Sequence, residues 1–301
     1  MRTRLATVMI AATLTFGVPQ AQAEPVNLPL GGLTLTGELT LAEGKQLADG
    51  VVLLVHGTLA HHGMEIIAGQ QQRLAERGVT SLAVTLSLGQ NARTGMYDCA
   101  TVHTHRHEDA VDEIAAWVGW LKEKGSGPLT VLGHSRGGNQ VAWFATGHER
   151  AKDVAGWVLV APATWEADEE VTDYKKRFGA DVTPILADAR AKVAAGQGDA
   201  VMDLPGFIYC DKAKASASAV VSYYRADPRF DTPSLLSAMP KPVLLVIGEG
   251  DDVVPDLPQR VAGGVPDGVR VETVADAGHM FRDFAADDLA DLVADFAKSS
   301  P

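Results

Sequence analysis

The sequence predicts an α/β fold, a doubly wound and mostly parallel sheet carrying a helical cap insertion. Three observations lead there. Short unbroken apolar runs recur along the chain, residues 51–55 (Val51-Val52-Leu53-Leu54-Val55) being the clearest. Segments with apolar residues at helical spacing alternate with them. A parallel strand is covered by helices on both faces, so its apolar run need not alternate with polar residues. Third, the alternation lapses once, over residues 163–240.

The bulk numbers fit one sizeable core. The chain has 301 residues, 46% hydrophobic and 21% charged, the balance of an ordinary globular protein. Its formal net charge of -12 repels phosphate backbones, which argues against nucleic acid as a partner.

Residues 1–23 read as a secretory signal peptide. Arg2 and Arg4 supply a positive start, residues 5–18 an apolar run, and Ala21-Gln22-Ala23 a small-residue cleavage site. The competing reading is an N-terminal anchor, but the run falls short of the roughly 20 residues a spanning helix needs. The expectation is a mature domain over residues 24–301, exported to the periplasm or secreted, with no stable membrane insertion after cleavage.

Residues 26–30 and 33–41 alternate around Gly31-Gly32 and predict an edge hairpin. Residues 50–55 predict a buried strand ending in His56-Gly57. Residues 64–77 predict a helix through Met64, Ile67 and Leu74, stopped by Gly78. A strand follows at 81–86. The helix at 107–124 carries Val111, Ile114, Ala115, Val118 and Leu121 on one stripe. Then come a strand at 129–133, a helix at 137–147 and a strand at 156–161. Beyond the interruption lie a strand at 242–247, a weak helix at 256–262, a last strand at 269–274 and a closing helix at 283–298. Within residues 163–240 the periodicity predicts helices at 166–178, 184–195 and 213–224, and no strand. So long a segment is rarely structureless. It is expected to form a cap at the C-terminal edge of the sheet, where α/β folds bind ligands.

Gly133-His134-Ser135-Arg136-Gly137-Gly138 sits between a strand and a helix. A serine nucleophile needs that setting. A sharp turn lifts it from the sheet, small residues two before and two after leave room, and the helix start aims N–H groups at a developing oxyanion. Gly248-Glu249-Gly250-Asp251 ends one later strand, and Gly278-His279 follows another, so the order is Ser, Asp, His. With His56-Gly57, these pieces resemble the α/β-hydrolase superfamily from about residue 50 to 298. The resemblance implies Ser135 as nucleophile, His279 as general base and Asp251 as the acid orienting it. The neighbouring Asp252 then reads as a turn residue facing solvent. The N–H of Arg136 is one expected oxyanion donor. Thr58 is the other, with Leu59 next in line. His56 is expected to be structural.

Residues 101–109 place His103, His105 and His107 at alternate positions. On an extended segment they share one face, as a metal site would need, and His61-His62 could add to it. The simpler expectation is a polar loop leading into the next helix, with no metal. One of these histidines could also line the substrate mouth. Cys99 and Cys210 are the two cysteines. In an exported protein they are expected to form a disulfide tying the cap to the core. Trp165, at the start of the cap, could reach the substrate.

The expected activity is hydrolysis of a carboxylic ester, thioester, lactone or amide through an acyl-serine intermediate. The partner is a small-molecule acyl substrate. No cofactor and no particular oligomeric state are implied. Acyl transfer with the same triad, a non-catalytic binding protein on the same fold, and a metal-dependent enzyme are the competing classes.

Overall fold

The first two strands form a hairpin in the computed structural model, which describes residues 22–300. They are β1 (Gln22–Leu30) and β2 (Leu33–Leu41), antiparallel and joined by Gly31 and Gly32. Both glycines have positive φ, 56° and 86°, as a two-residue hairpin loop requires. The leader expected over residues 1–23 lies outside the described residues, except for Gln22 and Ala23, which open β1.

Strand and helix then alternate. In order they are β3 (Val51–Val55), α1 (Glu65–Glu76), β4 (Ser81–Thr85), α2 (Asp109–Glu123), β5 (Leu129–His134), α3 (Arg136–Gly147) and β6 (Gly156–Val160). An insertion follows, made of α4 (Ala167–Phe178), α5 (Val182–Ala194), β7 (Val201–Asp203), β8 (Gly206–Phe207), β9 (Cys210–Asp211), β10 (Lys214–Ser216), α6 (Ala217–Tyr224) and α7 (Thr232–Leu235). The chain returns to the sheet with β11 (Val243–Gly248), α8 (Leu257–Val261), β12 (Val269–Val274) and α9 (Phe284–Ser299).

The main sheet has eight strands in the order β1-β2-β4-β3-β5-β6-β11-β12. Pairing is antiparallel at β1–β2 and β2–β4 and parallel from β4 onward. The unbroken apolar runs acquire their meaning here. Val51, Leu53 and Val55 pack with Ile114, Trp117 and Leu121 of α2 and Val141 and Phe144 of α3. Val52 and Leu54 face the other way, toward Ile67 and Leu74 of α1 and Val293 and Phe296 of α9. Leu129, Trp157 and Val243 join the first core, and Leu132, Val158 and Leu244 the second. Both faces are apolar because both are covered.

The insertion is built differently. It has a small core of its own, in which Met202, Phe207, Ala215, Val220 and Tyr223 pack with Leu59 and Tyr97 of the main domain. α4 buries only Tyr174. The expectation of a strand-free insertion is corrected, since β7 pairs with β10 and β8 with β9. These ladders span two or three residues, too few for alternation to register. The helix expected over 213–224 starts at Ala217, because Ser216 caps it by accepting the Ala219 N–H. Lys214 and Ser216 meanwhile pair their backbones with His103. Among the described residues no helix is long and apolar enough to cross a membrane.

Candidate active site

Three parallel strands deliver their following turns to one edge of the sheet. β5 ends at His134, and Ser135 turns sharply, with φ 55° and ψ −126°. A non-glycine residue rarely holds such a backbone, so the surroundings must impose it. They leave no room for side chains. A Cβ at Gly133 would lie 2.4 Å from the Gly137 carbonyl oxygen, and one at Gly137 would lie 2.2 Å from that of His56. The Ser135 N–H donates to Val160 of β6 at 2.9 Å, which fixes the turn.

β11 carries Asp251 three residues beyond Gly248. The Gly250 N–H donates to the Ala277 carbonyl at 2.9 Å, so the acid's turn is tied to the loop that carries His279. Asp251 Oδ1 accepts the N–H groups of Val253 and Val254 at 2.8 and 3.0 Å. Its Oδ2 lies 2.8 Å from His279 Nδ1, and His279 Nε2 lies 2.9 Å from Ser135 Oγ. The Asp251 side chain is 4% exposed and that of His279 10%. Burial alone would raise the Asp251 pKa. The hydrogen bonds from His279 and from the two backbone N–H groups outweigh it and hold the carboxyl below its usual range. Asp252 is exposed and has no part in this line.

Arg136 opens α3, and Thr58 follows Gly57 at the end of β3. A Cβ on Gly57 would sit 3.1 Å from Ser135 Cβ, so this loop passes close beside the serine. Neither the Arg136 nor the Thr58 N–H is taken by a backbone carbonyl among the described residues. The Leu59 backbone is left-handed, with φ 57°, and its carbonyl accepts the Tyr97 N–H at 3.0 Å.

His56 braces the same loop. Its Nδ1 lies 2.7 Å from the Gly57 carbonyl, and its Nε2 accepts the Leu86 N–H at 3.0 Å. Burial, reinforced by the nearby Arg93 charge, lowers its pKa to about 3, so it stays neutral. Arg93 is itself buried and donates to the carbonyls of Leu86 and Gly95. The pattern did not single out Arg93, because an arginine in a polar stretch gives no sign of burial. It also passed over His134. That ring lies 2.9 Å, through Nε2, from the His279 carbonyl and packs 4.8 Å from the His279 ring. Its only signal was its place between Gly133 and Ser135.

His103, His105 and His107 do share a face, but it is sealed. All three are 1% exposed or less. His103 lies in an isolated parallel bridge with Ala215, which draws the segment under the insertion. His103 Nδ1 is 3.1 Å from His105 Nε2, and His105 Nδ1 is 2.8 Å from Tyr223 Oη. The rings pack among aromatics, His103 stacked at 4.5 Å from Tyr97 and His107 tilted or edge-on at 4.9 Å from both Trp143 and Phe230. The polar-loop expectation is therefore corrected: aromatic packing takes these rings out of water. Burial lowers the pKa of His103 to about 4 and those of His105 and His107 well below the usual value. Among the described residues no three His, Cys, Asp or Glu side chains are grouped to hold a metal ion. Cys99 and Cys210 are joined in a disulfide with Cα atoms 5.4 Å apart, linking the loop after β4 to β9. Trp165 is half-buried with its ring 6.1 Å from that of Phe230.

Comparison with known proteins agrees with this architecture. No significant match was found among curated proteins. Several solved structures share the fold at low identity. Est1E from Butyrivibrio proteoclasticus, solved with ferulic acid bound, superposes with a TM-score of 0.65 at 18% identity, over 90% of this chain and 97% of that one. The Pyrococcus furiosus esterase Pf2001 gives 0.59 at 16%, over 93% and 92%. The α/β hydrolase GrgF from Penicillium sp. sh18 gives 0.64 at 17%, over 93% and 99%. A sequence profile described as the alpha/beta hydrolase family matches residues 52–294. That span holds the serine turn, the acid turn and the histidine loop, and the chain belongs to the alpha/beta hydrolase family.

Proposed function

We propose that this chain is an exported serine hydrolase that cleaves a carboxylic ester, or a related thioester, lactone or amide, through an acyl-serine intermediate. The reading rests on one observation, the unbroken hydrogen-bonded line from Ser135 Oγ through His279 to Asp251. Ester is the preferred bond, because structures of similar fold carry the names of esterases.

In this mechanism Asp251 accepts a hydrogen bond from His279 Nδ1–H, which keeps the proton on Nδ1 and leaves Nε2 free to act as a base. Ser135 Oγ attacks the carbonyl carbon and its proton passes to His279 Nε2. The N–H groups of Arg136 and Thr58 receive the oxyanion. Collapse breaks the bond to the leaving alcohol, which takes the proton from His279. Water then attacks the acyl-serine with the same base, and the acid product leaves. The insertion, residues 163–240, acts as the cap that shapes the acyl and alcohol pockets. The Cys99–Cys210 disulfide limits how far it can open.

The test is a series of p-nitrophenyl esters of increasing acyl length, run alongside labelling by a fluorophosphonate. Turnover and labelling that both vanish in Ser135→Ala support the proposal. Absence of both in the wild-type protein overturns it.

A further inference from the structure

Arg136 stands apart from the other buried and partly buried arginines among the described residues. Arg73, Arg77, Arg150, Arg225 and Arg260 are all partly buried, and each pairs with a carboxylate. Arg93 is buried and spends its donors on backbone carbonyls. Arg136 is also partly buried, yet among the described residues no carboxylate lies within 4.0 Å of it. Its Nε donates to Thr58 Oγ1 at 3.1 Å, and its guanidinium carbon lies 5.5 Å from the centre of the Tyr223 ring. Both contacts are to neutral groups. Its remaining donors have no protein partner among the described residues and are not sealed from solvent, so an incoming acceptor can reach them.

The group is also held still. Thr58 fixes it from the loop after β3, and Tyr223 supports it from α6 of the insertion. Tyr223 is itself fixed by His105, and His105 by His103. The nucleophile is the preceding residue in the chain. The Arg136 charge lies near enough to Glu170 of α4 to favour its ionised form. Glu170 sits beyond pairing distance, and burial raises its pKa above the usual carboxyl value even against the Arg136 charge.

We propose that the Arg136 side chain is a specificity determinant that receives a carboxylate carried by the substrate. The site then takes half-esters of small dicarboxylic acids, or esters with a carboxylate in their alcohol part, and Arg136 forms the bidentate pair that the guanidinium fork suits. One positive charge facing Glu170 matches a monoanion better than a phosphate dianion. This inference rests on the serine-hydrolase reading for its location and on the unpaired guanidinium for its content.

Two substrate pairs test it. One is p-nitrophenyl hemiglutarate against its methyl ester, and the other acetoxybutyrate against its amide. Calorimetric titration with glutarate is run in parallel. In at least one pair the wild-type kcat/KM is expected to favour the charged member by about 10- to 100-fold. In Arg136→Met the ratio falls to near one, and Arg136→Lys recovers part of it. A wild-type ratio near one in both pairs overturns the inference and leaves the hydrolase reading intact, as does a ratio that survives in folded Arg136→Met. Should no ester be turned over, the hydrolase reading fails and calorimetry decides the inference. Glutarate binding that is lost in Arg136→Met keeps it, and no binding to the wild type overturns it.

Discussion

His279 and the His103–His107 segment are the same side chain put to opposite uses. Both regions are largely out of water. At the sheet edge His279 has a carboxylate on Nδ1 and a hydroxyl on Nε2, so each ring nitrogen has a polar partner. Under the insertion His103 Nε2 and both nitrogens of His107 have none among the described residues. There the rings pack as flat aromatic bodies. On the proposed mechanism, the difference teaches that burial alone does not make a base of a histidine. Desolvation favours the neutral ring everywhere, and only a fixed carboxylate such as Asp251 stabilises the cation that proton transfer creates.

The largest effect should separate the regions by activity. Ser135→Ala is expected to lower kcat by about 10⁴–10⁶-fold, with a thermal unfolding curve close to that of the wild type. His103→Phe should do the reverse, keeping turnover while shifting the melt. Steady-state rates and calorimetric melts on the two variants decide it. A dead but stable His103→Phe would break the comparison.

Asp251→Asn should follow, with a loss of about 10⁴-fold in kcat, because the amide disfavours the required tautomer. Asp252→Asn should stay near the wild-type rate, since Asp252 faces solvent. The same steady-state assay checks both, and the opposite ranking would shift the acid's position by one residue.

Removing the disulfide tests how the second region is held. It closes a separation of 111 residues in sequence. The Cys99→Ser, Cys210→Ser double variant is expected to lose about 2–5 kcal/mol in urea unfolding. Cys99 is two residues from Tyr97, whose N–H holds the Leu59 carbonyl. Reduction should therefore disturb the loop beside Ser135 before it unfolds the sheet. Hydrogen exchange at residues 57–60, measured with and without reductant, reads that directly.

The smallest effect per residue is in pH dependence. Burial lowers the pKa of His134 and His103 to about 4 and of His56 to about 3. A histidine freed by unfolding binds a proton near pH 6.5, so in this window the unfolded chain binds more protons than the folded one. Stability should then fall as pH drops from about 6.5 toward 4, by up to about 3 kcal/mol for the fully buried His134. Glu113 acts with the opposite sign. Burial raises its pKa to about 7, so its contribution is complete at low pH and is lost as pH rises through 7. Urea midpoints at pH 7.5, 5.5 and 4.5 measure the balance, and His103→Phe should flatten the acid limb. An unchanged slope would mean that the ring ionises while folded.

How much of this was legible beforehand depended on range. The strand at Val51–Val55, the turn at Gly133–Gly138 and the hairpin glycines announce themselves, because periodicity and turn chemistry are written within a few residues. The ladders of β7 to β10 are shorter than any period, and their pairing partners lie across loops. The helix expected over 213–224 starts later for the same reason, since Ser216 caps and Lys214 pairs with a segment more than a hundred residues away.

By itself the sequence determined the α/β class, the order of strands and helices outside the insertion, the strand-turn-helix setting of Ser135 and the strand-end settings of Asp251 and His279. Each follows from local stereochemistry that Gly133, Gly137, Gly248 and the apolar runs enforce. Only the tertiary structure decided that Asp251 rather than Asp252 meets His279, that Cys99 reaches Cys210, that Arg93 braces His56, and that the His103–His107 face is sealed by Tyr97, Trp143 and Phe230. It also decided that the Arg136 guanidinium, one residue from Ser135, stands without a carboxylate among the described residues. Burial and pairing are properties of residues distant in sequence brought within a few ångströms, and no local pattern encodes which distant residue arrives.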